Sequence, residues 1–557
     1  MEKPTSYPHR LEGRHIRVLE LKPGSAADPL QARLVEVDLD AAGPFEALSY
    51  VWGDPRRSLR LRRGAETRLI WADAICINQE DLDECPQQVQ LMRDVYSCAE
   101  RVVVWLGEGG DQSVDLAVSL MGAIYAACEG SAKTAGVDLH AHAVSSRPFE
   151  DVALSTLQGD VASLVQETVL ARSSKVYVGS LSLPWLTVGV VASWLNTMDI
   201  LADFNTTPEL KDIPYYEAYC MFDTEDVDEA NLTQTLKKYR DLKATDPRDK
   251  VYGVLGLVNP AADPHVRMIE VDYRRELWEV YGDVVKSTIA RTGDLSVLSL
   301  VKHVIEFDDN DLFPSWIPRW DSATHVTVMY DEWLEGVWKA NGDEHPLGRF
   351  NITPSGEVTL KGLEFDTVEW VTGPMDVDEF GDLPPATEHP FVKIWDKCSQ
   401  GSEDPILLII TLADVLTANL SENWVLLDSL EDDERQQIHG DFVAYLNHLL
   451  ASSGRQDLLV QPSPGEDDWK RYKLIASRVC DQRRFFVTKR GYHGLGSGSA
   501  REGDVLSVLA GGPMLYILRR IEGRFRFLGE AYVDNLMQGE AWQEKDIQHT
   551  WTGITLF

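Results

Sequence analysis

Apolar and polar positions alternate along this chain in two rhythms, and their order predicts its elements. Phe45–Val51 is a continuous apolar and aromatic run closed by Gly53-Asp54-Pro55, which reads as a buried strand and a turn. Leu69–Ile77 is a second such run and Arg101–Leu106 a third, closed by Gly107. Between Pro86 and Ala99 the rhythm changes to helical spacing, through Val89, Met92, Val95 or Tyr96, and Ala99. Asp111 or Ser113 caps a further helix with Val114, Ala117, Leu120 or Met121, and Ile124 on one face. Strands that alternate with helices predict an α/β unit built on a parallel sheet.

A helix, a short strand at Lys175–Val178 and an apolar helix after Pro184 continue this pattern to Leu201. Asp203–Thr233 reads as polar and loop-rich. Asp246-Pro247 starts a helix carrying Val251, Tyr252, Val254 and Leu255, and Glu276–Arg291 is another, ended by Gly293. Phe313–Trp320 holds two prolines and is expected as an irregular segment fixed by its aromatic residues. The last third is β-rich. Phe350–Val371 alternates like a hairpin or meander. Arg484–Thr488, Asp504–Leu509, Met514–Arg519 and Phe525–Val533 are short strands between glycine-rich turns, as in a small antiparallel barrel or sandwich. A helical insertion around 400–455 interrupts this region.

Length and charge narrow the classes. At 557 residues the chain exceeds the roughly 250–300 residues one core supports, so two or three packed units are expected. A net charge of −36 repels phosphate backbones and anionic lipid, so neither nucleic acid nor a membrane surface is an expected partner. Seven scattered cysteines with no CxxC pair argue against a disulfide framework or structural zinc. Met1–Glu12 has no apolar leader core. Leu183–Leu195 and Ile406–Leu416 are too short to cross a bilayer, so a cytoplasmic protein is expected.

Three strings carry a family resemblance. Ala47–Asp54 reads ALSYVWGD, Trp71–Gln79 reads WADAICINQ, and Gln88–Tyr96 with Val104–Gly107 supplies the helix and strand that follow. In this order they resemble the fungal heterokaryon-incompatibility (HET) domain proteins. The segments Ala244–Leu257, Val271–Tyr273, Pro314–Pro318, Phe485–Gly491 and Gly529–Val533 extend the likeness, with gaps, over most of the chain. Two departures stand out. Only Pro55–Ile70 separates the first two strings, where relatives carry some tens of residues. In the "RxWxxQE" motif, Gln166-Glu167 fits the end, while Val161 and Ser163 occupy the arginine and tryptophan positions.

The resemblance implies a flavodoxin-like, TIR-like parallel sheet in the N-terminal domain, and a role in self/non-self recognition and programmed cell death of the innate-immunity kind. It places a lead-in at 1–44, the HET domain at 45–201, a helical middle at 202–320 and a β-rich region at 321–557. Self-association or a protein partner through the HET domain is implied. Some TIR domains cleave NAD, so the analogy makes Glu167 a candidate catalytic carboxylate facing an oxocarbenium-like transition state. A solvated helix carboxylate, or a degenerate inactive paralogue, reads the same. NAD would enter as substrate; no resident cofactor and no metal are expected.

Asp73, Asn78 and Gln79 follow an apolar run, where open α/β sheets place ligand loops. Ser49, Tyr50 and Trp52 stand at another strand end. These six are the candidate ligand-binding residues, for a nucleotide or a neighbouring domain. The alternative is local: short polar side chains locking their own loop, and Trp52 filling a core edge. Cys76 lies in an apolar run without a neighbouring histidine and reads as an inert buried thiol. The glycine spacing of Gly491–Gly496 resembles a phosphate loop, but a series of tight β-turns explains it better.

Overall fold

A computed structural model describes residues 7–24, 31–50, 66–105, 112–143, 174–178, 181–201, 215–222, 230–240, 242, 244–303, 313–322, 329–330, 337–342, 346–376, 389–400, 403–421, 423–455, 460, 468–542 and 551–557. The chain forms two compact units, Met1–Val280 and Tyr281–Phe557.

The first unit holds a seven-stranded mixed sheet in the order β2-β1-β4-β3-β5-β6-β7. Its strands are β1 (His15–Leu21), β2 (Ala32–Asp38), β3 (Glu46–Tyr50), β4 (Arg68–Trp71), β5 (Arg101–Trp105), β6 (Ser174–Val178) and β7 (Leu181–Pro184). The four central strands β4, β3, β5 and β6 are parallel. The β1–β2 hairpin and β7 pair antiparallel at the two flanks. On β3, Ala47, Leu48 and Ser49 are all buried. Successive strand residues face opposite sides, so both faces of the sheet are covered there. One face is the cluster of Leu19, Leu21, Leu48, Ile70 and Ala72. Each fully buried leucine or isoleucine contributes about 1.5–3 kcal/mol.

Several expectations change here. Within the lead-in at 1–44, His15–Leu21 and Ala32–Asp38 supply two strands of the sheet. The run Leu69–Ile77 is not one strand. It is β4 followed by a single turn, α1 (Asp73–Cys76), because Ala72 is still extended while the Asp73 carbonyl already accepts from Ile77 N at 3.0 Å. A short apolar run does not by itself distinguish buried strand from buried helix.

Helices connect and follow these strands: α2 (Glu84–Cys98), α3 (Gln112–Ala135), α4 (Leu139–Ala143) and α5 (Trp185–Leu201). The stretch expected as loop contains α6 (Tyr215–Phe222), and α7 (Leu232–Lys238) begins within it. Asn231 and Gln234 form a reciprocal capping box on α7, a start signal present in the sequence. Then come α8 (Asp249–Leu255) and α9 (Leu277–Thr292), the latter stopped by Gly293 at φ +76°. Phe313–Trp320 is irregular as expected, with Trp316, Ile317 and Trp320 buried.

The second unit carries α10 (Pro390–Ser399), α11 (Pro405–Leu416), α12 (Asp432–Ser452) and α13 (Trp469–Cys480). Its strands are β8 (Val358–Val371), β9 (Arg483–Thr488), β10 (His493–Ser497), β11 (Val505–Leu509), β12 (Leu515–Ile521), β13 (Arg524–Val533) and β14 (Thr552–Leu556). The largely antiparallel order β10-β9-β8-β11-β12-β13-β14 gains pairings β10–β13 and β8–β14, which close the sheet on itself. Closure removes the unpaired edges an open sheet would present. The expected hairpin or meander at 350–371 is instead mostly the single strand β8. The glycine-rich segment at 491–496 runs into β10, where a Cβ on Gly496 would stand 2.4 Å from Ile517 Cδ1. Gly494 and Gly496 serve close packing, a need that spacing alone does not reveal, while Gly491 at φ +88° has open space around it and serves the turn.

Among the described residues, no helix is long and apolar enough to cross a membrane.

Candidate functional site

The parallel strands bring three chain segments to one edge of the first unit. β4 flanks β3 on one side and β5 on the other, so the carboxyl ends of all three point the same way. The connection after β3 leads to one flank and the chain then returns to the other. Open α/β sheets place their ligand crevice at such a switch point. Ser49 pairs in register with Val104 and Tyr50 with Trp105, so both stand at that point. Ser49 is buried. Trp52 and Glu167 lie outside the described residues.

The segment after β4 is organised by its own backbone. Asp73 Oδ1 accepts from Ala74 N at 2.7 Å, and its carbonyl accepts from Gln79 Nε2 at 3.1 Å. Asn78 Oδ1 accepts from Glu80 N at 3.3 Å. The Trp71 indole N–H is fully buried without a hydrogen-bond partner, and its ring meets Tyr96 edge-on at 5.4 Å. Cys76 is buried, and burial pushes its thiol up to about 12, which leaves it protonated and unreactive.

Beneath this segment lies an ion pair that the sequence pattern did not reveal. Arg17 of β1 and Glu84 at the start of α2 are both buried. Arg17 Nη1 donates to Glu84 Oε1 at 2.6 Å, and Nη2 to Oε2 at 2.9 Å. Glu84 also accepts from Leu11 N at 3.1 Å and Asn78 N at 3.0 Å. The guanidinium reaches the carbonyls of Cys76 and His9 and lies over the Tyr7 ring. Burial works against the Glu84 charge, but Arg17 and the two backbone N–H groups outweigh it, holding the carboxyl below its ordinary value.

A second polar knot joins the segments at 244–257 and 271–275 to this edge. Arg248 grips Asp246 through two hydrogen bonds of 3.0 and 2.7 Å. It also donates to the carbonyls of Tyr273 and Arg275. Tyr273 donates to Asp249 Oδ1 at 2.6 Å. Burial raises the Asp249 carboxyl, with Tyr273 opposing and Asp246 adding. Cys85 is pushed up to about 11 by burial, reinforced by the negative charges of Asp249, Glu84 and Asp73. Arg274 reaches Asp83 at 2.5 Å, tying the knot to the start of α2.

The arrangement therefore gathers Asp73, Asn78 and Gln79 at one place, with Ser49 and Tyr50 at the carboxyl end of the neighbouring strand β3. Arg17, Glu84, Asp249 and Tyr273 are the residues that sequence reasoning missed as parts of it. The available signal was a charged residue inside the apolar strand HIRVLEL. Among the described residues, no group of three or more His, Cys, Asp or Glu side chains could hold a metal ion.

Comparison with known proteins bears on both units. Residues 56–157 match the family model described as Heterokaryon incompatibility protein (HET), and residues 421–550 match that described as Het-6 beta-barrel domain. The chain is similar to heterokaryon incompatibility protein 6, OR allele, of Neurospora crassa, at 23% identity with 94% of each chain covered. That alignment spans 666 positions, more than the 557 residues of this chain, so the relative carries segments that this chain lacks. No solved structure matches.

Proposed function

Because the chain belongs to the fungal heterokaryon-incompatibility (HET) domain family, we propose that it works in self/non-self recognition, its HET domain triggering programmed cell death. The observation that carries this reading is the joint match to a HET domain and a Het-6 barrel in one chain, alongside a relative aligned over 94% of both lengths. The HET domain meets a protein partner or a second copy of itself. The surface favours protein partners, since its net charge of −36 disfavours phosphate backbones and anionic lipid. Ser49, Tyr50, Asp73, Asn78 and Gln79, with Trp52, are the residues of the first unit assigned to that contact or to a small ligand in the crevice. Overexpression in a fungal host tests it: growth slows with the intact chain and recovers when residues 40–200 are deleted. Unchanged toxicity after that deletion would refute it.

One observation favours a second, enzymatic reading. Numbered among themselves, the four parallel strands have the order 2-1-3-4, as in the first four strands of a flavodoxin-like sheet. That order supports the TIR-like reading, on which Glu167 is the carboxylate of an NAD glycohydrolase. Nicotinamide release from NAD by the purified chain, lost in Glu167→Ala, is the expected result. Equal release by the variant, or none at all, removes this reading and leaves the signalling one intact.

A further inference from the structure

In the second unit, α11 lies against β10 of the closed sheet. Thr411 Oγ1 donates to Asp534 Oδ2 at 3.3 Å, which joins α11 to the turn after β13. Asn535 Nδ2 donates to the same oxygen at 2.7 Å. Asp414 is buried and stands three residues after Thr411, on the same face of the helix. It accepts from Arg435 Nη2 at 2.9 Å and bonds His439 Nε2 at 2.8 Å, both on α12. Arg435 Nη1 also reaches Asp428 Oδ1 at 2.8 Å, and Asn419 Nδ2 donates to Asp428 Oδ2 at 2.8 Å. Three carboxyl groups thus meet one guanidinium and one imidazole, and both of these are engaged by Asp414 and Asp428. Asp534 has only hydroxyl and amide donors. The turns that carry the cluster hold it in place: Ala418, Asn419 and Asn535 are non-glycine residues at φ +49°, +57° and +60°. Such backbone persists where the surrounding structure fixes it, so the carboxyl groups do not relieve their repulsion by drifting apart.

Burial, and then the charge of Asp414, raises the Asp534 carboxyl to about 6; Thr411 and the Asn535 backbone oppose the rise and Asp428 adds to it. Burial and the same three carboxylates push the Tyr532 phenol well up, so it stays neutral. On β10, the His493 carbonyl accepts from Asp534 N at 3.2 Å, and burial disfavours the charged form of its ring, which stacks on Phe485. Asp534 and His439 are then the two groups that can couple the cluster to pH, and substitution tells them apart.

We propose that Asp534 makes the contact between α11 and the closed sheet a pH-sensitive joint, closed when its carboxyl is protonated and loosened by repulsion from Asp414 and Asp428 when it is ionised. The assignment is independent of the HET-domain reading. Opening the contact returns Asp534 to its ordinary value of about 3.9. The closed state therefore binds the proton more tightly, and closing is favoured as pH falls through about 6. Between about pH 7.5 and about pH 5 the opening constant should fall about tenfold. Hydrogen exchange of the full chain reads this in peptides covering 405–421 and 530–537, as protection relative to the free-chain rate at each pH. Asp534→Asn, checked for folding by circular dichroism, imitates the protonated form. It should match the wild type at the lower pH and keep the same protection at the higher one. Wild-type protection that is flat, or that rises with pH, overturns the proposal. So does a pH response that persists in Asp534→Asn, which would belong to His439. Should Asp534→Asn fail to fold, His439→Gln decides the same point: the response must survive there, and its loss overturns the proposal.

Discussion

Replacing Glu84 by glutamine tests what holds the edge of the first unit together. The substitution keeps the shape of the side chain and removes its charge. Arg17 is then left buried with only the carbonyls of Cys76 and His9 and one amide oxygen as partners. The glutamine amide also presents N–H donors, so it cannot accept from Leu11 N, Asn78 N and Arg17 together as the carboxylate does. Breaking a buried pair on one side costs about 3–5 kcal/mol, well above the ~0–1 kcal/mol of an exposed pair. The pH dependence supplies a second measurement. The folded Glu84 carboxyl lies below its ordinary value, so its contribution is full above the unfolded value of about 4.3 and fades as pH falls through the folded one. The gap between wild type and Glu84→Gln should therefore be widest near neutrality and close on acidification. Hydrogen exchange in peptides covering 68–105, followed with pH, reads both. A difference below about 0.5 kcal/mol at neutral pH, or a gap that stays constant into acid, refutes the argument.

Two further outcomes follow from packing. Gly496→Val drives side-chain atoms into the space of Ile517 and should cost about 1–3 kcal/mol, seen as a lower thermal midpoint of the second unit; an unchanged midpoint would mean that β10 is not packed as described. In native protein at pH 8, a thiol reagent should label exposed Cys98 and spare buried Cys76, whose thiol stands at about 12, until denaturant is added; equal labelling of both would contradict the burial.

What was legible in the sequence was what neighbouring residues decide. β3 and β5 stand out because consecutive apolar residues are needed where both faces are covered, as at Ala47, Leu48 and Val102. Pro86 and the spacing from Val89 to Ala99 mark α2 because helix and chain share the same short period. β1 and β2 were hidden by the same logic. His15–Leu21 and Ala32–Asp38 mix charges into the apolar rhythm, and one of those charges, Arg17, points inward. Its acceptance in the core depends on Glu84, 67 residues further on, and no local window contains that information.

The candidate site divides along the same line. Asp73, Asn78 and Gln79 bond within six residues of themselves, so a loop-locking role was readable from their spacing. The Tyr273–Asp249 bond spans 24 residues and the Arg274–Asp83 contact 191, and these join segments that the pattern treats as separate. A charged residue at an inward strand position is therefore better taken as a pointer to a distant partner than as a break in the strand. Read that way, Arg17 marks His15–Leu21 as a strand of the sheet. The search for its counter-ion then leads to the acidic start of α2. Loop and ion pair form one structure: Asn78 N and Leu11 N both end on Glu84, so a change at residue 84 reaches the candidate crevice through its own backbone hydrogen bonds.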